Sequence, residues 1–137
     1  MGKLLRNNTN NLFEDFWLLA LRLCMAGFML VHGLPKLIML FSGNISFYNP
    51  IGIGELPSLI LAVIAEVVCS VFIALGLYTR MAASILIVNM AVAAFIVHAH
   101  HAFGQKELAF LYMFGYITLL IFGGGNLSLN KLIRHKY

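Results

Sequence analysis

Charge is what this sequence has least of. Nine Lys or Arg and five Asp or Glu make up 10% of its 137 residues, where a soluble domain would hold about 25%. A water-facing surface cannot be built from so few charges. Two cysteines exclude a disulfide framework and an iron–sulfur site, and there is no C-x-x-C pair. Walker and G-x-G-x-x-G loops are missing, and so is any internal repeat, which argues against nucleotide binding and a solenoid. A cleavable leader is not expected. The first 13 residues are polar, the first apolar run is too long for an h-region, and no small-x-small site follows.

Apolar sequence is abundant instead. The hydrophobic fraction is 61% and mean hydropathy is +0.92. Four runs stand out, at 16–41, 56–77, 81–98 and 108–122. A membrane-spanning helix needs about 20 apolar residues. The expected fold is therefore all-α, a polytopic bundle of four transmembrane helices. Residues 1–13 read as an N-terminal cytoplasmic segment, 14–126 as the membrane domain and 127–137 as a basic interfacial tail. Pro35 falls late in the first run and frees the carbonyl of Val31 beside His32 and Lys36.

Four spans place both termini on one side. That side collects Lys3, Arg6, Arg80, Lys131, Arg134 and Lys136, and the other Lys36 and Lys106. The positive-inside rule then puts both termini in the cytoplasm. The pI near 9.3 reflects that topology and contact with anionic headgroups; it does not point to nucleic acid. Cys24 and Cys69 fall at matched depth within spans. A disulfide stays open there, with free packed thiols the simpler reading.

The informative residues are the titratable ones inside the apolar runs. An ionised group at mid-membrane costs roughly 2.5–3.5 kcal/mol on insertion scales, so such groups turn inward and find partners. By helix rise, His32, Lys36, Glu66, His98, Glu107 and Tyr112 all fall in the outer half of the bundle. Four helices thus send polar groups to similar depth, and a cavity lined by this cluster is expected. Glu66 is central and cannot snorkel. Arg22 within reach suggests a structural Arg22–Glu66 ion pair, with Lys36 and His32 as other partners. Asn89 is expected to bond a neighbouring helix. Each group also has a plain reading: Lys36 snorkels, Glu107 sits at a helix N-terminus, Tyr112 packs. The HAHH run at 98–101 makes His98, His101 and His32 the metal candidates, although no H-E-x-x-H accompanies them and unliganded interfacial histidines are commoner.

The stretches LRLCMAGFMLVHGLPKL, AEVVCSVFIALGLYTRMAA, AFIVHAHH and ELAFLYMFGYITLLIFGGGNLSL together resemble the DoxX family of small bacterial membrane proteins, over about residues 21–129. The matching motif positions are Arg22, His32, Gly33, Lys36, Glu66, Arg80, His98, Glu107 and Tyr112. Where the family often carries Asp after S-L, this chain has Asn130. The resemblance implies an inner-membrane four-helix bundle, similar to subunits of quinone-linked oxidation systems and partners of membrane oxidoreductases. Three functions compete on these residues. One is a quinone- or redox-associated accessory subunit, with an oxidoreductase partner and quinone as ligand. The second is a non-catalytic scaffold or assembly partner. The third is a binding module for a small amphiphile or metal. Whether the chain is itself an enzyme, and whether it forms a homo-oligomer, is left open.

Overall fold

In the computed structural model, residues 8–134 are described, and the chain is all-α, with no strand among them. Helix α1 spans Asn8–Ser42, α2 Glu55–Leu75, α3 Thr79–Val97 and α4 Phe103–Phe122. A short α5, Leu129–Arg134, lies in the tail. The first four are long and apolar enough to cross a membrane. Residues 1–7 of the expected polar segment lie outside the described residues; α1 already begins at Asn8. At about 1.5 Å per residue its 35 residues run about 52 Å, well beyond a hydrocarbon core of about 30 Å. Pro35 is carried inside α1 without ending it.

The helices run up, down, up, down, and α1 packs on α2, α2 on α3, α3 on α4 and α4 back on α1. The core is a stripe from each helix. Met25, Ala26 and Met29 come from α1, and Ala65, Cys69 and Ile73 from α2. From α3 come Ala82, Ala83, Leu86, Met90 and Ala94, and from α4 Ala109, Tyr112, Tyr116 and Leu119. Spacings of three and four residues keep each stripe on one helix face. Alanine is frequent because helices in lipid gain by close van der Waals approach, since lipid tails are as apolar as leucine. Cys69 is buried and Cys24 exposed, and both are free thiols.

At Gly33, α1 and α2 come into close contact. A Cβ there would lie 2.8 Å from Val67 Cγ2, 3.0 Å from Glu66 Cβ and 3.1 Å from the Glu66 carbonyl carbon. Only glycine allows this crossing, and the crossing delivers Glu66 to α1. Gly33→Ala is expected to destabilise the bundle by about 1–3 kcal/mol through overpacking. Gly27→Ala, where nothing lies within 4 Å, is expected to be neutral or stabilising by up to about 1 kcal/mol. Unfolding of both variants by titrated denaturing detergent checks this; equal stabilities would refute it.

Two π-helical turns interrupt the regular helices, Ile64–Val68 in α2 and Ala93–Val97 in α3. Such wide turns re-aim the side chains around them and are frequent at functional sites. Glu66 sits inside the first, and His98 directly follows the second.

Candidate functional site: a cavity over a buried ion pair

Glu66 is 4% exposed. Its Oε1 accepts from Lys36 Nζ at 2.5 Å and from Asn89 Nδ2 at 3.0 Å. Three helices therefore converge on one carboxylate oxygen. Its second oxygen, Oε2, is buried and has no partner in the protein. A buried carboxylate needs its lone pairs satisfied, because leaving one unbonded costs the desolvation of that atom. The site thus holds an acceptor with no protein donor.

A cavity of about 430 Å³ opens onto this group, walled by α2 and α3 and roofed by the segment 43–54. Lys36, Ser58, Glu66, Asn89 and His98 supply its polar atoms. Phe47, Tyr48, Pro50 and Ile51 form the roof, and the Lys36 ammonium lies 5.8 Å from the centre of the Phe47 ring. The rim is apolar. Leu61, Ile85 and Val88 line it and are exposed on the outer surfaces of α2 and α3, where acyl chains would lie against membrane-spanning helices. A mostly apolar pocket with a few convergent polar groups is the usual form of a small-molecule site.

The six residues expected to share one cavity are divided. Lys36, Glu66 and His98 line it. His32 does not: it is exposed, and its ring packs edge-on against Tyr112 of α4 at 5.8 Å. Tyr112 in turn stacks on Tyr116 at 6.2 Å, within the α1–α4 side of the core. Glu107 is exposed and lines no part of the cavity. His32 and Lys36 are four residues apart, which is about 40° of rotation on a helix. Because α1 sits between α2 and α4, that angle is enough to send the two side chains to different neighbours. Asn89, expected only to bridge helices, is the second donor to Glu66 and a cavity wall.

The expected Arg22–Glu66 pair is not formed. Arg22 is 1% exposed and its guanidinium donates to the carbonyl oxygens of Gly124 and, at 3.4 Å, Ala74. Ala74 is eight residues beyond Glu66, about 12 Å along α2. Arg22 thus ties α1 to the far end of α2 and to the glycine-rich turn after α4, and Lys36 takes Glu66. The three metal candidates do not assemble either. His98 and His101 meet Nδ1 to Nδ1 at 3.1 Å, but no group of three or more His, Cys, Asp or Glu side chains is placed for a metal among the described residues.

An antiparallel bundle of four spanning helices, with a buried carboxylate bridged to neighbouring helices beneath a cavity, defines a small multi-pass membrane protein. The chain belongs to the DoxX family, whose sequence pattern matches residues 17–99. The match covers α1 from Trp17 onward, α2 and α3, with the cavity-lining residues on them; α4 lies beyond it. An uncharacterized protein of Haemophilus influenzae (strain ATCC 51907 / DSM 11121 / KW20 / Rd) is 32% identical over 131 residues, covering 89% of this chain and 96% of the relative. No solved structure matches the chain.

Proposed function

We propose that the protein is a quinone-associated accessory subunit of a membrane oxidoreductase, binding the quinone head in the cavity above Glu66. The observation that carries this is the combination of a lipid-facing apolar rim, the polar side chains of Lys36, Glu66, Asn89 and His98 on the cavity wall, and a buried Glu66 oxygen with no protein partner. The volume of about 430 Å³ lies within the roughly 300–1,000 Å³ of small-molecule pockets. A bound quinone would supply a two-electron, two-proton acceptor. Lys36 and Asn89 carry N–H groups that hydrogen-bond carbonyl oxygens, and His98 can donate or accept at the mouth. Glu66 Oε2, an acceptor without a protein donor, is the atom at which a proton can be taken up and passed to the quinone head. The electrons come from the partner subunit, since this chain has neither flavin loop nor cluster cysteines. We place it in the inner membrane with both termini cytoplasmic, on the charge asymmetry of the loops.

The test is titration of the purified protein with a short-chain quinone analogue, followed by thermal shift. A saturable rise in melting temperature is expected. Asn89→Leu or His98→Ala should weaken the apparent affinity about tenfold, the loss of one good hydrogen bond in a desolvated site. His32→Ala should leave it unchanged, because His32 faces α4. No saturable response from the folded wild type would exclude the reading and leave a scaffold held together by its buried polar groups.

A further inference from the structure

At the opposite end of the bundle a second concavity, of about 940 Å³, lies where α3 begins, between the turn after α4 and the tail helix α5. Three cationic side chains line it, Arg80, Lys131 and Arg134, with no carboxylate among its walls. Asp15, on α1, is the acidic residue bonded to this end. Its two oxygens accept from Asn126 N at 2.9 Å and Asn126 Nδ2 at 2.6 Å, so Asn126 already satisfies it. Arg80 uses Nη2 on the Ile121 carbonyl at 3.1 Å, and Lys131 uses Nζ on Asn126 Oδ1. An arginine has five N–H donors and a lysine three, so both retain donors for a ligand.

Two further features converge there. The first intrahelical bond of α3 runs from Ala82 N to Tyr78 O. The amides of residues 79–81 precede it and have no helical acceptor, and the helix dipole adds partial positive charge at that end. Thr79, the first residue of α3, lines the concavity and is 3% exposed, yet its Oγ1 has no partner in the protein. A buried hydroxyl left without a partner is uncommon and calls for one. Cations, free amides and an unpaired hydroxyl together suit an oxyanion with several acceptor oxygens.

We propose that the groove at the start of α3 binds a phosphate group, held by Arg80, Lys131, Arg134 and the Thr79 hydroxyl. Two sources carry that chemistry, the headgroup of an anionic phospholipid and a free phosphate. On the proposed topology the groove lies at the cytoplasmic ends of the spanning helices, where basic side chains face anionic headgroups. The site is independent of the cavity above Glu66, which lies at the other end of the bundle.

The experiment uses the full chain in neutral maltoside micelles, titrated separately with dihexanoyl phosphatidylglycerol, dihexanoyl phosphatidylcholine and inorganic phosphate. Saturable binding of phosphatidylglycerol, tighter than phosphatidylcholine and weakened by salt, is expected. If inorganic phosphate also saturates, the phosphate alone suffices; if it does not, the lipid is the source. Arg80→Gln should weaken binding about tenfold, the loss of one charge-assisted bond. The double variant Lys131→Gln/Arg134→Gln on the tail should do the same, should Arg80→Gln fail to fold. Thr79→Val should weaken it about threefold and Thr79→Ser should not. Two results overturn the proposal. One is no preference for phosphatidylglycerol or phosphate over phosphatidylcholine. The other is loss in the charge variants with Thr79→Val unchanged, which marks a diffuse basic surface.

Discussion

Lys36→Met is expected to cost about 3–5 kcal/mol of stability, the penalty for leaving one member of a buried pair uncompensated. The Glu66 carboxylate, 4% exposed, would keep only the Asn89 amide as donor. It cannot reach water from mid-helix, and its other oxygen is already without a partner. Glu66→Gln should be milder, because a neutral amide keeps the bond to Asn89, and Lys36, 28% exposed at its side chain, can extend toward the membrane surface. The double variant Lys36→Met/Glu66→Gln should therefore recover most of the loss. A double-mutant cycle in titrated denaturing detergent gives the coupling directly. Additive losses would show that the ion pair contributes nothing specific.

Arg22→Met should be comparably severe, about 2–6 kcal/mol. The side chain is almost fully enclosed, and its guanidinium is the donor to the Gly124 and Ala74 carbonyls. Each acceptor stranded in the interior costs about 1–3 kcal/mol. Arg22→Lys should recover only part, since one ammonium cannot span both carbonyls as a planar fork does. The surrounding turn is built for arginine. Gly76, at φ +71°, closes α2, and a Cβ there would lie 2.9 Å from the Arg22 guanidinium and 2.6 Å from Ser128 Cβ. Amide exchange around residues 123–128 should accelerate in Arg22→Met before the rest of the bundle is affected; uniform acceleration would refute this local role.

Much of this architecture is legible in the residues themselves. Run length and the scarcity of charge give four spans, and Glu66 between AVIA and VVCS marks an inward-facing carboxylate. The partner was less legible. Arg22 and Lys36 both lie within side-chain reach of mid-membrane by simple helix rise. The choice is made by Gly33, whose missing side chain sets where α1 crosses α2. Grouping by depth brought His32, Glu107 and Tyr112 together with Lys36, although depth says nothing of angle around a helix. In sequence Asn89 reads as an ordinary interhelical donor, because its alignment with Glu66 depends on packing between α2 and α3. The two π turns carry no proline or glycine within them, so composition offers no signal for them. The basic groove joins Arg80 to Lys131 and Arg134, about fifty residues apart in sequence, and charge counting reads those residues only as topology.

Labelling of membranes with a photoreactive azido-quinone, followed by peptide mapping, tests the quinone site most directly. Label is expected on the cavity walls, around residues 58–66 of α2, 85–97 of α3 and His98 just after it, and should fall when unlabelled quinone competes. Label confined to the His32–Tyr112 face of α1 and α4, or spread over all four helices without competition, would contradict a quinone site above Glu66.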